Sequence, residues 1–199
     1  MDESPLLRAA ATLLFAVDLD GRPIGTHEFR VEARDETVNV RSLATFDVRL
    51  LGIRVYRYRH ESVETWDDGC LRALSASTDD HGRRTTVVAS PSPDGGLRIV
   101  TNGATSDARG CIRAFAYWRP EWLAAPTLLN PQTGRLDEAR WMGLGDEPLV
   151  LADGRSVSSR RWRLRAGGLD IDLWYDGAGD WLQLVSSTAD GRRLRYRRQ

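Results

Sequence analysis

The chain has 199 residues with 28 basic and 28 acidic side chains, so its formal net charge is zero. That length suits one domain whose core stands without metal or disulfide staples, and 41% hydrophobic with 28% charged residues is ordinary for a folded globular chain. No run of 18 apolar residues offers a membrane span, and the balanced charge gives no basic field for nucleic acid. All 28 basic residues are Arg. A chain without Lys has no Schiff-base or Lys general-base chemistry.

The start, Met1-Asp2-Glu3-Ser4-Pro5, places acidic charge ahead of an apolar stretch that ends at Val17. A secretory signal has basic charge there and a small-residue cleavage site afterwards. Read as written, the chain is expected to be cytoplasmic, with residues 1–11 poorly ordered before a first strand at 12–19. Leu13, Phe15, Val17 and Leu19 alternate with smaller or polar residues, and Asp20-Gly21 signals a hairpin. From Pro23 a second strand puts His27, Phe29 and Val31 on one face. Strands follow at 37–50 and 53–67, joined near Leu51-Gly52, then at 70–78, 84–89 and 97–101, with residues 102–110 read as loop.

The middle of the chain breaks the period-two pattern. Cys111 to Trp118 is apolar and aromatic, and 119–125 is predicted as a short helical segment between Pro120 and Pro126. A turn-rich connector spans 128–134. Strands resume at 135–143, 148–152, 157–166, 169–176, 181–187 and 192–197, separated by Asp-Gly and Gly-Gly turns such as Ala189-Asp190-Gly191. This grammar predicts a mainly β, single-domain protein over 1–199: one antiparallel sheet curved into a half-barrel or barrel, with the 118–125 segment covering its concave side. The C-terminal arginines, Arg192 to Arg198, read as a charge-protected edge strand.

The stretch Tyr56 to Trp66 is the richest in chemistry. Alternation puts Tyr56, Tyr58, His60, Ser62, Glu64 and Trp66 on one face. On one strand His60 and Glu64 stand about 13–14 Å apart, too far for a direct hydrogen bond but suited to two points on a pocket wall. The alternative is that both are buried hydrogen-bonded groups or partners of Arg. His60-Glu61-x-x-Glu64 has the spacing of a helical zinc motif, but a strand lacks the one-turn geometry, so no metal site is predicted. A second cluster joins Phe115, Tyr117, Trp118 and Trp122 with Asn130 and Gln132. It reads either as a core cluster beside a polar turn or as a pocket rim with directional hydrogen bonds. Cys70 and Cys111 each follow a Gly at a strand start; a bridge and two buried free thiols both fit. No GxSxG, P-loop or GxGxxG motif is present, and no cofactor is predicted.

A set of ordered motifs carries a family resemblance. It runs from Val17-Asp18-Leu19-Asp20-Gly21 through Tyr56-Arg57-Tyr58-Arg59-His60, Glu64-x-Trp66, Gly69-Cys70, Gly110-Cys111, Phe115-Ala116-Tyr117-Trp118 and Leu128-Leu129-Asn130-Pro131-Gln132-Thr133-Gly134 to Arg193-Leu194-Arg195-Tyr196. Together these resemble an uncharacterised bacterial family, a domain of unknown function. The resemblance implies export, hence a periplasmic location, and a Cys70–Cys111 disulfide suited to an oxidising compartment. The strand grammar is also distantly similar to the curved half-barrels of the LolA/LolB lipoprotein carriers. That likeness concerns fold and implies an apolar concave site.

The expected function is therefore a binding or carrier protein for a hydrophobic, lipid-like small molecule in a concave pocket. Tyr58, His60, Glu64, Trp66, Tyr117, Trp118, Trp122, Asn130 and Gln132 are its candidate ligand-binding residues. Two alternatives stand beside it: an enzyme on a lipid-like or small aromatic substrate with His60 and Glu64 as acid and base, and an envelope protein-interaction module.

Overall fold

The structure, a computed structural model, describes residues 10–50, 53–188 and 190–199. It is mainly β. A first antiparallel meander runs β1 (Ala10–Leu19), β2 (Arg22–Arg34), β3 (Thr37–Leu50), β4 (Ile53–Asp67), β5 (Cys70–Asp80), β6 (Arg83–Pro91), β7 (Leu97–Thr101) and β8 (Ala104–Ala108). After one turn of helix, α1 (Pro120–Leu123), a second meander runs β9 (Thr127–Leu129), β10 (Leu136–Val150), β11 (Ser156–Ala166), β12 (Leu169–Tyr175), β13 (Trp181–Ser187) and β14 (Arg193–Arg198). β1 pairs with β14, so both meanders merge into one 14-stranded antiparallel sheet with β8 and β9 at its edges.

Alternation decides which way the sheet faces. Leu13, Phe15, Val17 and Leu19 are all buried, as are Phe29, Val31, Val38, Val40 and Phe46 on the neighbouring strands. The sheet curls around this apolar face until its two flanks meet. At Gly134, in the β9–β10 turn, a Cβ would lie only 1.8 Å from Thr101 Oγ1 on β7. The two edge strands themselves are not paired with each other.

Residues 109–126, the link between β8 and β9, fill the interior. Leu71 N–H donates to Ile112 O and Leu129 N–H to Arg113 O, so the link is tied by backbone to strands of both meanders. Ala116 and Leu123 of the link and Leu128 of β9 are fully buried. Trp66 stacks on Trp122 at 4.8 Å and meets Trp118 edge-on at 6.0 Å. The short helix predicted at 119–125 thus covers the concave side as a single turn, started by Pro120, whose missing N–H costs nothing there. Cys70 and Cys111 are joined in a disulfide, Cα to Cα 5.1 Å, which pins the start of this link to the start of β5.

Several boundaries differ from the sequence reading. Residues 104–108 are a strand rather than loop. Ala-Thr-Ser-Asp-Ala has no apolar alternation, and its pairing comes from the Asn102-Gly103 turn, whose φ values of 47° and 89° are those of a tight hairpin. The connector expected from 128 begins one strand later, because Thr127–Leu129 pairs with β10. The strands expected at 135–143 and 148–152 are one strand, bent by a bulge between Gly143 and Gly145. The Arg-rich C-terminus is not an edge: β14 lies between β1 and β13, and its arginines meet carboxylates. Arg195 and Arg197 reach the buried Asp18, at 3.1 and 3.4 Å, and Arg192 reaches Asp20 at 2.8 Å. Of the expected irregular start at 1–11, residues 1–9 lie outside the described residues, whereas Ala10 and Ala11 open β1. The expected turns at Leu51-Gly52 and at Ala189 also fall outside them. Among the described residues no helix is long and apolar enough to cross a membrane.

The disulfide closes a loop with a sequence separation of 41 residues. Chain-entropy arguments give such a loop about 4 kcal/mol. The double variant Cys70→Ser/Cys111→Ser is expected to lose about 2–4 kcal/mol in urea unfolding. A loss below about 0.5 kcal/mol would mean that the interior link is held by packing alone.

Candidate functional site

On β4, Tyr58 is half-buried and His60, Ser62, Glu64 and Trp66 are buried, all on the concave face. Across from them the sheet carries unusually small inward residues. Ser42 stands opposite Ser62, Ala44 opposite His60, and Ala76 opposite Ser62 on the other side. Of these, Ser42 and Ser62 line a cavity of about 90 Å³. Its wall is polar on the sheet side, with His27, Ser42, His60, Ser62 and Glu64, and more apolar opposite, with Phe115, Tyr117 and Ile171. Its mouth lies at Pro131, Gln132 and Leu169, the last 43% exposed.

The structure thus brings His60, Glu64, Tyr117, Asn130 and Gln132 to one cavity. The other expected site residues do not line it. Trp66, Trp118 and Trp122 form the aromatic contact that seats the interior link, and Tyr58 stacks on Phe46 at 5.2 Å. Asn130 also shapes the turn at the mouth, because its Nδ2 donates to Asp137 and its Oδ1 accepts the Gln132 N–H. His27 and Ser42 were not singled out from sequence. The His27-x-Phe29-x-Val31 alternation was the available signal, because it placed a lone His on an otherwise apolar inward face.

Most polar atoms of the wall are partnered. His60 Nδ1 lies 2.8 Å from Thr78 Oγ1, and His27 Nε2 lies 2.7 Å from Ser42 Oγ. Trp66 Nε1–H donates to Glu64 Oε2 at 2.9 Å, and Ser62 Oγ–H to Glu64 Oε1 at 3.4 Å. One atom stands apart: His27 Nδ1 is buried with no partner, in a residue only 9% exposed. Native interiors seldom leave such an atom unpaired.

Burial also sets the charge state. It pushes His27 down to about 3, helped by the nearby His60, and His60 down to about 4, so both rings are neutral at pH 7. Burial pushes the Glu64 carboxyl up to about 7, against the opposing hydrogen bonds from Trp66 and Ser62. Burial raises the Tyr117 phenol as well. The wall therefore offers two neutral imidazoles and one carboxyl that changes charge near neutral pH. Among the described residues, no three His, Cys, Asp or Glu side chains converge as a metal site.

Residues 15–199 match the family described as a domain of unknown function, DUF6134. The chain belongs to that family. No curated protein matches the sequence. Among solved structures, the fold is similar to a β-barrel-like protein of the domain of unknown function DUF1849 from Brucella abortus. The TM-score is 0.69, with 94% of each chain covered and 9% sequence identity. At that identity the likeness speaks for the fold alone.

Two opposite pH dependences follow from the wall. The folded-state value of Glu64, about 7, lies above its ordinary 4.5. Its contribution is full below about pH 4.5 and is lost as pH rises through 7. His27 lies at about 3 against an ordinary 6.5. Its contribution is full above pH 6.5 and is lost as pH falls towards 3. Glu64→Gln keeps an acceptor for Trp66 but removes the buried charge. Its stability relative to the unsubstituted protein is expected to rise by about 2–3 kcal/mol between pH 5 and 8. His27→Phe should flatten the acid limb of the stability curve between pH 6.5 and 4. Parallel curves for parent and variants in pH-dependent urea unfolding would contradict both assignments.

Proposed function

We propose that this domain is a binding protein for a compact, partly apolar ligand that carries a carboxylic acid or hydroxyl group. The polar group enters the barrel between Gln132 and Leu169 and meets His27. The observation that carries the reading is the buried, unpartnered Nδ1 of His27, a residue of the cavity wall. Depending on its tautomer, that nitrogen donates to or accepts from the ligand, and a protonated carboxyl group answers either way. Phe29, Phe115 and Ile171 supply apolar contact for the adjoining carbons.

Size limits the lipid-like ligand first expected. Ordinary ligand pockets hold about 300–1,000 Å³, and this cavity is about 90 Å³. A head group and a few methylenes fit, and a longer chain must lie outside the mouth. The enzyme alternative has one observation on its side, a carboxyl at Glu64 poised near neutrality. It is the weaker reading, because His60 and Glu64 are both engaged inside the wall and His60 is a poor base at about 4.

A series of straight-chain carboxylic acids, titrated by calorimetry, tests the proposal. Affinity is expected to rise about fourfold per methylene while carbons enter the cavity, and then to level off. His27→Leu should weaken binding about tenfold, the effect of one lost hydrogen bond in a buried site. Absence of binding across the series, or binding indifferent to His27→Leu, would overturn it. Turnover of an ester analogue, lost in Glu64→Gln, would favour the enzyme instead.

A further inference from the structure

A second cavity lies at the other end of the concave face. There the interior link borders side chains of β10 and β11 without filling the space between them. Trp141 and Trp162 stand on these strands, stacked 5.0 Å apart and parallel to within 3°. Both indoles are half-buried. Gly143, opposite Trp162 across the ladder, leaves room for the ring, and the adjoining bulge bends β10 around it. Together with α1 and the β12–β13 turn, the pair bounds a cleft of about 630 Å³, well within the size of ordinary ligand sites.

The rim is polar in a particular way. Arg160 faces Asp146 as a fork, Nε to Oδ1 at 2.7 Å and Nη2 to Oδ2 at 3.3 Å, with both side chains more than half exposed. The fork leaves the second guanidinium amine and further carboxylate lone pairs free to bond outward. Ser158 adds a hydroxyl, and Glu121, paired with Arg119, closes the rim from α1. Three carboxylates, Glu121, Asp146 and Asp176, line the cleft beside one guanidinium, Arg160, which disfavours an anionic ligand. The stacked pair offers the outer face of an indole to the cleft, and the edge supplies paired donors and acceptors in one plane.

We propose that this cleft binds a neutral saccharide, with a sugar ring laid on the outer face of the stacked Trp141–Trp162 pair and neighbouring hydroxyls bridged by the Arg160–Asp146 fork. A pyranose has one face rich in C–H bonds, which suits the electron-rich face of an indole, and a rim of hydroxyls that both donate and accept. The proposal rests on none of the residues of the barrel cavity, so either reading stands or falls alone.

The test is a titration of the full chain with neutral mono- to tetrasaccharides of gluco-, galacto- and N-acetylated configuration. It is followed through the indole N–H resonances, with those of Trp141 and Trp162 assigned by Trp→Phe substitution. Saturable shifts confined to these two indoles are expected. Trp162→Ala should weaken binding at least tenfold, and the exposed-site variants Asp146→Asn and Arg160→Gln should do the same without disturbing the core. No saturable shift with any saccharide would overturn the proposal. So would tighter binding of tetramethylammonium than of every sugar, which would mark the aromatic pair as a cation site. Shifts in which Asp146→Asn and Arg160→Gln change nothing would overturn the role given to the fork.

Discussion

The architecture depends on the ladder between β1 and β14. It joins the first and last strands of the chain, from Phe15 opposite Arg198 to Leu19 opposite Leu194. Once the two termini pair in the middle of the sheet, the middle of the chain must supply both edges. β8 and β9 are consecutive in sequence and lie farthest apart in the sheet. The link between them therefore has to cross the open side of the curl, and the apolar concave face requires that it bring aromatic residues. Asp18 secures the ladder, since its carboxylate is almost wholly buried and meets Arg195 and Arg197. A carboxylate buried so deeply is tolerable only with such partners.

Much of this was legible. Period-two alternation located the strands because a sheet with one buried face repeats every second residue, and Asp-Gly turns marked the hairpins. The barrel-like curl followed from the number of strands. What could not be read was pairing between distant segments. Arg193 to Arg198 looks like a protected edge, and only the β1 ladder makes it central. Ala104 to Ala108 looks like loop because a short polar strand at a real edge carries no apolar pattern.

The candidate site was legible to the same degree. Alternation along β4 put His60 and Glu64 on the concave face, and they line the cavity. It put Trp66 there too, but which inward residues border space and which are packed is decided by neighbours. Trp66 faces Trp118 and Trp122 and is filled over, whereas His60 faces Ala44 and Ser62 faces Ser42 and Ala76. Ser42 and Ser62 border the cavity, and such small residues give no strong signal in a single sequence. Trp141 and Trp162 lay in expected strands, but their closeness depends on the β10–β11 register.

The interior polar wall carries an energetic cost. Apolar residues at 27, 42, 60, 62 and 64 would bury the same face without desolvating two imidazoles and a carboxyl. The chain limits the cost by keeping both histidines neutral and by giving Glu64 two donors. It does not remove the cost at His27 Nδ1. Local choices that oppose stability while the surrounding ladder agrees with it tend to mark places where function sets the residue. The rest of the concave face follows the opposite logic, with Trp66, Phe15 and Leu74 buried completely. The same curved surface is therefore divided along its length into a sealed apolar middle, a small polar chamber beside the β9–β10 turn, and an open aromatic end on β10 and β11. That division follows from the reach of one segment, because residues 109–126 cover the middle and only border the two ends, with Phe115 and Tyr117 at the chamber and Pro120, Glu121 and Ala124 at the cleft.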